Sequence, residues 1–459
     1  QVKYKSDKTA IIENAIEYSY GDLDKKINQM MRFLNEHNVR KGSHLALSLS
    51  SLVNQTCLFI AAIKNGAVVS TVNSSFSDQY ISYIIHKHNI THLCIDTGKS
   101  FESDGECKSI ALSAENPWES LSSDYVDSAL SSDEIVYKCF TGNSMAPLTG
   151  SALCSMVTSL QETIKGFNGA RVSTYDTIDT YISVIQTMST LTSGGTIVAP
   201  HDESDYEYLF IDGYSLHRVS ETGITTSNSI KEIIVMGAPI SKATIESKAA
   251  QLGKPIRYIF SPPHSGMLVS SFSSEDDTVS DEYIIGKEFG NNILILNNSL
   301  GMVPTGVKGA IYIRGLDKSL IEAQKGMTVV KSDTSDLPHE WLLAAGFTGH
   351  KLSDGSIAVS HQKRRYVSLS GYYISLAALE QMVMEQSTSG HLFECYIICN
   401  ESEKQTLLAY VVIDNIKNIS HVEKELKNVL PDFLVPECVP VTHIPLDDAG
   451  VVDEDLLMK

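Results

Sequence analysis

Basic residues are scarce in this chain: 36 Lys and Arg stand against 55 Asp and Glu, a formal net charge of −19. An anionic surface repels phosphate, which argues against a nucleic-acid partner. Long apolar runs are missing too. Runs such as 58–63 and 67–69 fall far short of the roughly 20 residues that cross a bilayer, so no membrane span is expected. The opening Gln1-Val2-Lys3-Tyr4-Lys5 holds neither an initiator methionine nor an apolar targeting segment, and the chain reads as a piece of a longer polypeptide. The 14 histidines form no HExxH pair and no cluster with cysteine. The eight cysteines, at 57, 94, 107, 139, 154, 395, 399 and 438, lie mostly inside apolar runs such as Thr91-His92-Leu93-Cys94-Ile95-Asp96. They read as buried small hydrophobes of a reducing, cytoplasmic protein. Cys395 and Cys399 share one face of a predicted strand and lack a second ligand pair, so no metal is assigned to them.

What is present is enough apolar material for a full core: 42% of residues are hydrophobic and 20% charged, over a length that suggests about three units. Leu23, Ile27, Met30, Met31 and Leu34 recur at helical spacing behind Asp22, the expected N-cap, and this helix should end near Gly42. Residues 44–50 then read as a strand, 53–63 as a helix closing at Asn65-Gly66, 67–72 as a strand, 78–88 as a helix and 91–96 as a strand. That βαβαβ order predicts parallel strands sandwiched by helices. Residues 100–133, rich in Ser, Asp and Glu, read as a surface excursion. A second α/β stretch covers 134–300, and 301–314 looks like a small β unit. The pattern changes past the turn at Asp354-Gly355 and the stretch Gln362-Lys363-Arg364-Arg365. A helix from Ser375, strands at 392–399 and 406–413, and a helix from Val422 make a separate small α+β domain.

Several segments in order resemble the adenylate-forming superfamily, most closely the adenylation domains of nonribosomal peptide synthetases. Tyr18-Ser19-Tyr20-Gly21-Asp22-Leu23 is similar to the family's L-T-Y-x-E-L, and Ala61-Ala62-Ile63-Lys64-Asn65-Gly66-Ala67 to its L-K-A-G-A. Leu430-Pro431-Asp432-Phe433-Leu434-Val435-Pro436 resembles L-P-x-Y-M-V-P, and Ile444–Asp453 follows at family spacing. The resemblance implies an α/β, acyl-CoA-synthetase-like fold: a large N-terminal domain, 1–361, of two α/β sub-sheets plus a β-barrel, and a small α+β C-terminal domain, 362–459, that swings on a hinge. Family members join a carboxylate to ATP as an acyl-AMP and pass the acyl group to a carrier-protein thiol. Such chemistry concentrates negative charge, and needs backbone donors, a lysine and a magnesium ligand.

At the positions the resemblance assigns to that chemistry, this sequence departs from the family. The phosphate loop F-T-S-G-S-T-G-x-P-K-G falls on residues 140–150, where Asn143 and Ala146 replace glycines, Met145 replaces a hydroxyl and Thr149 replaces the lysine. The magnesium glutamate of Y-G-P-T-E falls on His264, and an imidazole suits magnesium badly. Asp336 survives as a remnant of the ribose-binding aspartate. The ribose-contacting arginine position is Gln362, the hinge aspartate position is Arg364, and the catalytic lysine of G-K-V-D-R is Val451. Losing one preorganised charge of this kind costs about 3 kcal/mol or more of transition-state stabilisation. Counting back from Gly194-Gly195, the family's ammonium-binding aspartate falls near Thr180-Tyr181-Ile182, with Asp176 and Asp179 close enough for a local slip to restore a carboxylate.

Apolar framework positions persist while phosphate-, magnesium- and carboxylate-handling residues vanish. The expected function is therefore a catalytically inactive pseudo-adenylation domain of a nonribosomal peptide synthetase, with no catalytic residue, cofactor or metal of its own. Its expected partners are neighbouring condensation, carrier-protein and tailoring domains of the same polypeptide, which it would hold within reach of one another. The alternative is an active enzyme that forms an acyl-AMP from an unusual carboxylic acid and loads a carrier protein. A third reading takes Gly142-Asn143-Ser144-Met145-Ala146 as the nucleophile elbow of a hydrolase, with no partner His or Asp assignable.

Overall fold

The structure is a computed structural model that describes residues 1, 5–96, 107–112, 116–128, 130–141, 144–174, 179–200, 202–218, 229–276, 283–323, 329–360, 365–387, 392–400, 406–446 and 452–458. Helix Tyr20–Glu36 turns Leu23, Ile27, Met30, Met31 and Leu34 inward, as its periodicity predicts. Its cap is Ser19, one turn earlier than expected. The Ser19 hydroxyl accepts from the Asp22 N–H while the Asp22 carboxylate accepts from the Ser19 N–H. Asp22 is thus the reaching-back member of a capping box. The helix stops at Glu36, well before Gly42.

The first sheet follows the βαβαβ expectation. Strands Lys108–Leu112, His92–Asp96, His44–Ser48 and Val68–Thr71 lie side by side in parallel, then Ile135–Thr141, with Ser144–Thr149 antiparallel at the edge. Alternation along His44–Ser48 sends Leu45 and Leu47 to one apolar cluster with helix Leu52–Lys64, and Ala46 to another with helix Asp78–His88. The second sheet has a parallel run of Ile256–Phe260, Glu232–Met236, Tyr208–Asp212, Arg171–Thr174, Thr196–Val198 and Thr9–Glu13.

The small β unit expected at 301–314 is larger and is not separate. Ser270–Ser273 pairs with both Ile256–Phe260 and Tyr283–Glu288, and the ladder continues through Ile357–Val359, Pro338–Lys351, Gly309–Ile313 and Ile293–Leu296. The second sheet and the β unit are therefore one hydrogen-bonded path. Gly286 permits the junction, because a Cβ there would sit 2.1 Å from the Ser271 carbonyl oxygen.

Past residue 365 come the hairpin of Tyr366–Leu369 and Tyr372–Ser375, helix Leu376–Gln386 capped by Ser375, and a sheet of Leu392–Asn400, Thr406–Ile413 and Glu437–Pro440. Helix Ile419–Val429 precedes the last of these strands. The expected boundary at 361/362 lies outside the described residues. Among those described, no helix is long and apolar enough to cross a membrane.

Candidate functional site

The segment matched to the phosphate loop is a tight hairpin, Ile135–Thr141 against Ser144–Thr149, with Thr141 and Ser144 paired across its end. The Thr141 and Ser144 hydroxyls are 2.7 Å apart. Positions 142 and 143, including Asn143, lie outside the described residues. Met145 turns inward, where its sulfur accepts from the Ser70 hydroxyl at 3.6 Å, and Ala146 is fully buried. Ser144 belongs to a strand-to-strand turn, and the next helix starts only at Gly150. That geometry removes the nucleophile elbow, which needs its serine on a strand-to-helix turn.

Thr149 is buried and acts as the N-cap of helix Gly150–Thr163, accepting the Ala152 N–H at 3.1 Å. Asp317 arrives at the same helix end. Its Oδ2 accepts from the Ser151 hydroxyl at 3.1 Å and lies 3.5 Å from the Thr149 hydroxyl. A helix N-terminus attracts anions through its unpaired N–H groups and its dipole. Here an internal carboxylate already supplies the negative charge.

His264 occupies the single turn Pro263–Ser265 after strand Ile256–Phe260. Burial pulls its pKa down to about 4, so the ring is neutral at pH 7. It faces Tyr366, ring centroids 6.1 Å apart. The next residue but one, Gly266, fits beside Leu148 and Ala152, so the His264 turn and the Thr149 corner share a wall. Asp336 is elsewhere, exposed in the turn between Val329–Asp333 and Pro338–Lys351, where it accepts from the Ser335 hydroxyl at 3.3 Å. Gln362, Arg364 and Val451 lie outside the described residues.

Two buried side chains stand near the position that the resemblance gives to the ammonium-binding aspartate. Tyr181 is buried at the start of helix Tyr181–Thr192, its hydroxyl 2.6 Å from the Ser261 Oγ. The Ser261 hydroxyl also lies 3.0 Å from the Met267 carbonyl oxygen, and the Tyr181 hydroxyl 3.8 Å from the Met156 sulfur. Asp179 is buried as well, and accepts hydrogen bonds from the Tyr372 hydroxyl and from Asn73 Nδ2, the latter at 3.3 Å. Asp176 lies outside the described residues. A carboxylate does persist near the expected place, then, but the chain's own phenol holds it.

Three participants escaped the sequence reading: Asp317, Tyr372 and Asp212. Asp212 ends the apolar strand Tyr208–Asp212, is fully buried, and accepts from the Ser215 N–H at 2.5 Å and from the Gly371 N–H. Burial raises its pKa above the usual carboxylate range. Its signal was available, since a carboxylate at the C-terminal end of a parallel strand marks the usual ligand crevice of an α/β sheet. Among the described residues no group of three or more His, Cys, Asp or Glu is placed to hold a metal ion. A triphosphate with magnesium requires a cation, open backbone donors and carboxylate ligands. A capped helix end bearing Asp317 and a buried neutral imidazole do not suit that pair.

The sequence model described as AMP-binding enzyme matches residues 1–317. Among curated proteins, bacitracin synthase 1 of Bacillus licheniformis is 24% identical over 504 residues, covering 100% of this chain and 9% of that protein. Tyrocidine synthase 1 of Brevibacillus parabrevis is 21% identical over 490 residues, covering 98% of this chain and 43% of its own length. The chain thus spans less than half of each. Of the solved structures, o-succinylbenzoate CoA synthetase from Bacillus subtilis superposes with a TM-score of 0.81 at 15% identity, covering 99% of this chain and 96% of that one. An artificially fused adenylation–PCP di-domain from Klebsiella oxytoca gives 0.75 at 15% identity, covering 95% and 84%.

Proposed function

The chain belongs to the AMP-binding enzyme family and has the adenylate-forming, acyl-CoA-synthetase-like α/β fold, and from that premise we propose that it is a catalytically inactive pseudo-adenylation domain of a nonribosomal peptide synthetase. The observation that carries this reading is the helix end at Thr149. The resemblance puts a phosphate-neutralising lysine there, whereas this chain has an N-cap threonine with the Asp317 carboxylate beside it. A second anion brought to that corner meets repulsion in a partly desolvated site, where charge interactions are strong. The buried His264 and the Tyr372-bound Asp179 support the same reading from the magnesium and substrate sides.

The role that remains is architectural. The curated relatives are much longer polypeptides, so neighbouring condensation, carrier or tailoring domains in the same chain are the proposed partners. A rigid body between two such domains sets their spacing and their effective concentration.

ATP–pyrophosphate exchange with a panel of amino and aryl acids tests the catalytic half. No exchange above the protein-free background is expected, and robust exchange with any acid refutes it in favour of an active acyl-AMP-forming enzyme. Replacing this chain by a Gly/Ser linker in the polypeptide that carries it tests the architectural half. Product yield should fall although each neighbouring domain stays active, and an unchanged yield refutes the scaffold.

A further inference from the structure

Residues 366–375 behave as an internal ligand of the first 360 residues. Tyr366–Leu369 and Tyr372–Ser375 pair antiparallel around Ser370-Gly371, whose φ angles of +49° and +83° make the two-residue turn of a tight hairpin. The tip is inserted. The Gly371 N–H donates to the Asp212 carboxylate and the Tyr372 hydroxyl to the Asp179 carboxylate, and all four groups are buried. The Tyr372 ring packs 5.9 Å from Phe76 and 5.9 Å from Phe140, and stacks on Phe433 at 5.4 Å with a 7° interplanar angle. Phe76 also meets Phe433 at 6.2 Å. Two residues from early in the chain and two from its last hundred thus form a single aromatic nest.

The apolar core continues that nest in both directions. Ala46, Val72, Tyr80, Ile81 and Leu93 belong to the same buried cluster as Leu379, Met382, Ile397 and Leu426. Two glycines hold the seat open. A Cβ on Gly237, where φ is +131°, would lie 2.5 Å from Ser368 Oγ. On Gly346, where φ is +77°, it would lie 2.5 Å from a Tyr366 ring carbon. At the periphery Lys87 bridges to Glu385 at 3.1 Å.

We propose that this hairpin is a latch which locks the C-terminal segment, 365–458, against the first 360 residues, so that the segment does not swing. Rotation would pull a buried glycine amide and a buried phenol from two carboxylates and open a continuous apolar core to water, a cost no single hinge residue offsets. The latch shares the Tyr372–Asp179 bond with the inactive-domain reading but not the Thr149–Asp317 corner that carries it, so either conclusion can fail alone.

Hydrogen–deuterium exchange of the whole chain, read by mass spectrometry with and without ATP and Mg²⁺, decides it. If the latch is permanent, the 366–375 amides open only with the core, and exchange within about tenfold of those in Glu232–Met236. Exchange more than about a hundredfold faster than that strand refutes the latch. Gly237→Ala should crowd Ser368 and accelerate exchange in 366–375 by about tenfold or more, leaving His44–Ser48 unchanged. If that variant folds and leaves 366–375 as protected as before, the seat is wrongly assigned, and if it does not fold the wild-type measurement still decides. Pyrophosphate exchange by a chain with a fully protected hairpin would defeat the functional reading alone. A fast-exchanging hairpin in an inert chain would defeat the latch alone.

Discussion

Replacing His264 by glutamine should flatten the pH dependence of stability by an amount the structure sets. The imidazole is 2% exposed in the core, and its pKa falls from 6.5 in the unfolded chain to about 4 in the folded one, because burial disfavours the charged ring. The unfolded state therefore takes up this proton first. Stability is complete above pH 6.5, declines as pH falls, and stops declining below the folded pKa. With those two values linkage gives a loss of about 2 kcal/mol between pH 8 and pH 5, and about 3 kcal/mol in the acid limit. Urea unfolding of wild type and His264→Gln, each at pH 8 and pH 5, isolates the contribution as the difference of differences. The wild type should lose about 2 kcal/mol more than the variant over that interval. Equal losses would mean that His264 titrates near its ordinary value in the folded chain. The ring would then be open to protons and solvent, and its reading as a buried neutral group would be wrong.

Tyr372→Phe removes the hydroxyl that holds the buried Asp179, and should cost about 1–3 kcal/mol in urea unfolding, whereas Tyr125→Phe on the surface should change stability by less than about 0.5 kcal/mol. Thr149→Ala deletes the cap of helix Gly150–Thr163 and should lower stability by about 1 kcal/mol without altering nucleotide binding, read by calorimetry with ATP and Mg²⁺. Arg365→Met strips the partly buried Glu380 of a partner at 2.6 Å and should cost about 3 kcal/mol by thermal or urea unfolding, since Glu380 would remain desolvated beside the Ile397 N–H. Thiol titration of the native chain should find one fast-reacting group, Cys154, which alone of the eight cysteines is exposed, and Cys154→Ser should abolish the fast phase.

The local elements were legible because their causes lie within a few residues of each other. Helical spacing of Leu23, Ile27 and Leu34 placed the first helix, and alternation and turn residues placed the strands from His44 to Asp96. The cap of that first helix was misplaced by one turn, since Ser19 and Asp22 share the bonding and spacing alone does not rank them. Residue types at the candidate site were legible too. A threonine at 149 and a histidine at 264 are facts of the sequence, and their poor fit to phosphate and magnesium follows from their chemistry.

The amino-acid order by itself thus determined the element types, the α/β class and the residue types at the candidate site. It did not determine what fills their places. Asp317 meets Thr149 across 168 positions, Asp212 meets Gly371 across 159, and Asp179 meets Tyr372 across 193. No local propensity encodes such pairings. They exist only once strand order and helix packing have brought distant backbone into register, and burial then makes the Asp179 and Asp212 carboxylates depend on donors supplied from late in the chain.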